Sequence, residues 1–138
     1  MPSPEFLQAT ALQQRGQFQQ AASVLNQALA KNPSDSDSMQ LLGAIHFQMG
    51  RTGQGRKLVE QALEINPRNG EAWNSLGLMR HLTGDNPGAL KAFESAIEIE
   101  PKHGGAWMNH GFVLQELGRQ TEAIGDFERA IAAGLDNP

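Results

Sequence analysis

The chain has 138 residues, of which 39% are hydrophobic and 19% charged, and its formal net charge is −4. This composition excludes a long disordered polymer, and the acidic balance argues against wholesale nucleic-acid binding. Cysteine is absent, so no disulfide framework or thiolate metal site can form and the redox compartment stays open. No apolar run approaches the roughly 20 residues that a membrane-spanning helix needs, so no membrane insertion is expected. The opening segment Met1-Pro2-Ser3-Pro4-Glu5-Phe6 lacks the basic stretch and apolar core of a secretory signal. The cytoplasm is the expected compartment, with the periplasm or a partner-bound membrane location as alternatives.

Taken in chain order, the sequence predicts four helix–turn–helix pairs of constant stride. The first pair, Pro2–Asp35, places Ala9, Gly16, Ala21, Leu25, Ala28 and Pro33 in order. The second, Ser36–Asn69, repeats that order 34 residues later as Gly43, Gly50, Gly55, Val59, Ala62 and Pro67. The third, Gly70–His103, gives Gly77, Gly84, Ala89, Phe93, Ala96 and Pro101. The fourth, Gly104–Asn137, gives Gly111, Gly118, Ala123, Phe127 and Ala130, with Leu135 where proline is expected. Recurrence of six registers at one period is the mark of a repeat architecture.

Each register has a physical reading. The glycine of the Gly50 series ends the first helix of a pair, where a left-handed residue without Cβ is favoured. The second helix stops before the proline, which cannot continue it. Small residues in the Gly43 and Ala28 series let helices approach, and the large residues of the Phe93 series fill the space between them. Asn86-Pro87 after Asp85 suits a helix start with proline in its first turn. Gly53 and Gly55 early in the second pair's second helix each cost roughly 1 kcal/mol against alanine, which predicts fraying or mobility there.

These residues resemble the tetratricopeptide repeat family. Trp73, Leu76-Gly77, Gly84, Ala89, Phe93, Ala96 and Pro101 carry the likeness most fully, and it extends over nearly the whole chain. The resemblance implies an all-α fold, a right-handed α-solenoid or superhelix of about four tandem repeats, with no cofactor. The first repeat departs from the pattern, with Glu5 and Gln8 where the third has Trp73 and Leu76. A polar, atypical opening repeat suits a cap. In that family an extra polar helix commonly caps the last repeat. None follows here, which suggests a piece of a longer protein or an end that pairs with another copy.

The resemblance also implies that the first helix of each repeat lines a concave groove. Helical spacing then selects one stripe. In the second repeat it holds Asp37, Gln40, Leu41, Ala44, Phe47 and Gln48. In the third it holds Glu71, Asn74, Ser75, Leu78 and His81, and in the fourth Gly105, Met108, Asn109, Phe112 and Gln115. Phe6, Thr10 and Gln13 extend it into the first repeat. The stripe mixes apolar and uncharged polar groups, and its clear charges, Asp37 and Glu71, are acidic. Relatives that grip a terminal carboxylate use Lys, Asn and Arg, whereas this chain has Phe6, Thr10, Asn74 and Leu78 at the corresponding places. An extended or helical segment with apolar side chains suits the stripe better, with Asn74 and Asn109 hydrogen-bonding its backbone. The plainer reading of Phe47, Leu78, Met108 and Phe112 is packing between neighbouring helices, and Trp73 and Trp107, one repeat apart, read as packing residues.

Nothing in the sequence assembles catalysis. The serines stand in no nucleophile-elbow pattern, and the glycines follow the repeat rather than a phosphate-cradling loop. His46 and His81 are 35 residues apart, but two imidazoles alone do not make a zinc site. His110 occupies a packing position and reads as a partly buried, hydrogen-bonded histidine. Glu94, Glu98, Glu100, Glu122, Asp126 and Glu128 fall mostly on second helices and read as a solvated convex face. The expected function is therefore a scaffold holding a protein or peptide segment in its groove, not an enzyme. Two alternatives stand beside it. One is an accessory part of a larger enzyme such as a glycosyltransferase or sulfotransferase. The other is self-assembly through the uncapped end around Phe127, Ile131 and Leu135.

Overall fold

The computed structural model describes residues Met1–Asp136, with side chains as far as Gly134. Among the described residues there are eight α-helices and no strand: α1 Pro4–Gln14, α2 Phe18–Lys31, α3 Ser36–Gln48, α4 Thr52–Ile65, α5 Gly70–Leu82, α6 Asn86–Ile99, α7 Gly104–Glu116 and α8 Gln120–Asp136. The all-α class of four tandem helix–turn–helix pairs is the one the spacing predicted. None of these helices is long and apolar enough to cross a membrane.

The turns explain the stride. Gly16, Gly50, Gly84 and Gly118 have φ of 74°, 84°, 92° and 80°, the left-handed region that a Cβ disfavours. Each lets the chain reverse within three residues. Helices α2, α4 and α6 end just before Asn32-Pro33, Asn66-Pro67 and Glu100-Pro101. A further register emerges at the starts of α3, α5 and α7. The Asp35, Asn69 and His103 side chains accept hydrogen bonds from the backbone N–H of Ser38, Ala72 and Ala106 at 3.2, 3.0 and 3.0 Å. Three different residue types thus do one job, satisfying a helix N–H that has no partner within its own helix.

The chain forms two compact units, one from Met1 to Ala72 and one from Trp73 onward. In the first, Leu25 and Ile45 are completely buried with Ala9 and Ala21, and Leu41 and Leu42 join them. Partly buried Phe6, Leu12 and Phe18 pack against this cluster. Helices α3 and α4 meet through paired glycines. A Cβ on Gly43 would lie 2.7 Å from the Gly55 carbonyl, and one on Gly55 would lie 2.5 Å from the Gly43 carbonyl. Gly55 is therefore a packing residue, and the propensity argument that marked it as a weak point in α4 misses its role. Gly53 has nothing within 4 Å of its would-be Cβ.

Asn69 ties two repeats' starts together inside this unit. It is 5% exposed, donates to Ser36 Oγ at 2.9 Å and to Asp37 Oδ1 at 3.2 Å, and accepts from Ala72 N–H. Ser36 Oγ in turn donates to the Ala62 carbonyl at 2.8 Å. Asn69→Ala removes a cap and two buried donors together. The expected loss is about 2 kcal/mol, measured by chemical denaturation. A change within experimental error would show that the network contributes nothing net.

In the second unit Ala89, Phe93 and Val113 are completely buried together, with Leu90 against them. Gly77 makes room for Phe93: a Cβ there would stand 2.5 Å from the ring. Helix α7 packs on both α6 and α8. His110 joins these three helices. Its Nδ1 is 2.5 Å from Asp126 Oδ2 and its Nε2 is 3.0 Å from Glu94 Oε2. It is partly buried and hydrogen-bonded, as its packing register suggested. Asp126 is 4% exposed, which corrects its assignment to a solvated face. The reason is its position on the arc of α8 that meets α7.

Candidate functional site

The second unit contains a recess of about 330 Å³ on the side of α5 and α7. Leu78, His81 and Leu82 line it from α5, Asn109, Phe112, Gln115 and Glu116 from α7, and Phe93 from α6. Five of the residues singled out in the sequence, Leu78, His81, Asn109, Phe112 and Gln115, are thus brought together. Leu78 is 39% exposed and Phe112 is 49% exposed. Both keep a substantial part of their surface in solvent. Phe112 is held by one edge contact, its ring centroid 5.2 Å from that of Phe127 at an interplanar angle of 60°.

The polar groups obey a simple rule. Within each unit, side chains 35 residues apart on the first helices of its two repeats meet, a spacing one more than the repeat. Asn109 Nδ2 donates to Asn74 Oδ1 at 3.1 Å. His81 Nε2 lies 3.6 Å from Glu116 Oε1. In the first unit Gln13 Nε2 donates to Gln48 Oε1 at 2.7 Å. Each amide carries two donor hydrogens and two acceptor lone pairs. The Asn74–Asn109 bond uses one donor and one acceptor position, so the pair retains capacity for a backbone. His81 Nδ1 stands 2.8 Å from Asn86 Oδ1, which fixes the ring from behind.

The other expected residues fall differently. Met108 is 45% exposed on α7. Asp37 is exposed at the start of α3 and accepts from Asn69, while Ala44 and Phe47 are half-buried farther along α3. Glu71 is exposed in the first turn of α5. Gln40 and Leu41 are 4% and 7% exposed, so neither is displayed on a surface stripe, and Leu41 belongs to the core of the first unit. Helix α3 packs against α4, α2 and α1, which widens its buried arc beyond what one stripe allows. Phe6 likewise packs on the core of that unit. Trp107 is half-buried, with its indole N–H donated to the Pro101 carbonyl at 2.8 Å and the Arg129 guanidinium 5.0 Å from its ring centre. At the far end Phe127 is half-buried and Ile131 is 65% exposed, whereas the Leu135 side chain lies outside those described.

Sequence reasoning missed Leu82, Phe93 and Glu116 as lining residues. Glu116 follows from His81 once side chains 35 residues apart are known to meet. Phe93 was assigned to filling between helices, which it does, while its buried ring also floors the recess. No group of three or more His, Cys, Asp or Glu among the described residues could hold a metal ion. Burial, and secondarily the Arg51 guanidinium, hold His46 below its ordinary value of 6.5 and favour the neutral ring.

Paired helices, glycine-made close approaches and an apolar recess bordered by amides define a helical-repeat scaffold for protein–protein interaction. Two tetratricopeptide repeat models match the sequence, over residues 12–78 and 83–138. The chain belongs to the tetratricopeptide repeat family. No curated protein matches it in sequence. Among solved structures it is similar to that described as "Crystal structure of MamA", with a TM-score of 0.76 and 20% identity over 96% of this chain and 77% of that one. It is also similar to MamA 41-end from Desulfovibrio magneticus RS-1, with a TM-score of 0.74 and 18% identity over 97% and 76% of the two chains. At these identities the likeness concerns the fold.

Proposed function

We propose that the recess between α5 and α7 is where this scaffold holds its partner, as an extended or helical protein segment carrying large apolar side chains. The observation that supports this reading most is the half-exposure of Leu78 and Phe112 around one 330 Å³ recess. Ligand sites commonly hold roughly 300–1,000 Å³. This one therefore takes one or two large side chains, and the rest of the segment lies across the surface. Burial of those side chains supplies the affinity, and the Asn74–Asn109 pair orients the backbone. Both helices are already in place, so little ordering cost falls on the scaffold.

The test is selection of peptides from a displayed random library on the immobilised chain, followed by titration of Phe112→Ala and Leu78→Ala variants. Phe112→Ala is expected to weaken the selected peptides about tenfold, the scale of a central aromatic contact. Its helical circular dichroism should stay intact, because Phe112 is already half-exposed. Peptides that bind both variants as tightly as the parent chain would remove the recess from the account.

A further inference from the structure

We propose that the recess selects segments whose apolar side chains are flanked by lysine or arginine, and that Glu116 is the residue that reads this charge. The inference rests on the recess being the binding site. Its basis is the distribution of charge. From Trp73 onward the sequence has five basic and nine acidic residues, so the whole net charge of −4 belongs to this unit. Among the residues that line the recess, the acidic one is Glu116, and its side chain is 58% exposed.

The basic residues of this unit stand elsewhere. Arg80 donates to the Gly88 carbonyl at 3.2 Å. Arg119 forms a two-pronged pair with Glu122 at 2.9 and 2.7 Å. Arg129 lies over Trp107 and 3.8 Å from Asp126. Lys91 is exposed on α6, and Lys102 lines a shallow depression with Trp107 and Arg129. An incoming cation therefore meets no lysine or arginine on the recess wall. His81 holds Glu116 only loosely, since 3.6 Å exceeds a normal hydrogen bond. An ammonium or guanidinium group can approach that carboxylate to about 2.8 Å and keep its own water on the other side.

Exposed charge pairs are individually weak, so this term decides among partners of equal apolar character rather than creating affinity. An acidic segment, or one ending in a carboxylate at this point, meets repulsion from Glu116 and from the field of the unit. The chemistry therefore points to a cationic, amphipathic protein segment.

The experiment uses two short fluorescein-labelled peptides with the same leucine and phenylalanine one helical turn apart. Lysines flank the apolar residues in one and glutamates in the other. Each is titrated by fluorescence anisotropy with the 138-residue chain and with Glu116→Gln and Phe112→Ala variants, at low and high salt. At low salt the lysine peptide is expected to bind about tenfold more tightly. High salt should erase most of that preference, and Glu116→Gln should narrow it about threefold. Equal binding of the two peptides, or preference for the glutamate peptide, overturns the charge selection. The recess reading survives that result if Phe112→Ala weakens both. Binding that Phe112→Ala leaves untouched, or no binding of the lysine peptide, overturns both readings.

Discussion

Phe93→Ala is expected to lower the stability of the second unit by about 3–5 kcal/mol, the range for removing a buried phenylalanine. Phe93 is completely buried, and its neighbours Gly77 and Ala89 have no side chain long enough to swing into the void. Small domains are held by only about 5–15 kcal/mol, so the loss is a large share of the total. The measurement is urea denaturation followed by circular dichroism. A loss under about 1 kcal/mol would mean that the ring is not the keystone its burial implies. The same substitution opens the floor of the recess. Peptides selected on the parent chain should therefore lose affinity for the variant even where it remains folded.

Two alanine substitutions in α4, two residues apart, are expected to act in opposite directions. Gly53→Ala should stabilise by up to about 1 kcal/mol, because its Cβ meets nothing and alanine favours the helix. Gly55→Ala gains the same propensity and loses more. Its Cβ would lie 2.5 Å from the Gly43 carbonyl, 2.9 Å from Phe47 N and 3.1 Å from Phe47 Cβ. Two of these are main-chain atoms, which no rotamer change can clear, so α3 and α4 must move apart. Overpacking of this kind costs about 1–3 kcal/mol, occasionally more, and here it outweighs propensity. Thermal melts of the two variants decide the matter. Equal and positive shifts would show that the glycine pair carries no packing role.

The fold was legible because its determinants are local and repeated. Gly50 and Pro67 each mark a helix end, and the 34-residue stride repeats the glycine mark four times and the proline mark three times. The capping register was harder to see, because Asp35, Asn69 and His103 share a function without sharing a residue type. Leu41 was misread for a different reason. A stripe drawn from one helix ignores the neighbours of that helix, and within its unit α3 packs against α1, α2 and α4. Gly55 shows the limit of propensity, since its value lies in what faces it across the helix pair. The recess was half legible. Helical spacing put Leu78, Asn109, Phe112 and Gln115 on one face of their helices. Glu116 came into view only when side chains 35 residues apart were seen to meet.

The central claim is that a partner segment lies in the recess between α5 and α7. The most direct measurement is a backbone amide nuclear magnetic resonance titration of the isotope-labelled chain with the lysine-flanked peptide. The account predicts saturable shifts centred on Leu78, His81, Asn109, Phe112, Gln115 and Glu116. Shifts centred instead on the exposed isoleucines of α8, Ile124 and Ile131, with the recess residues unmoved, would contradict it.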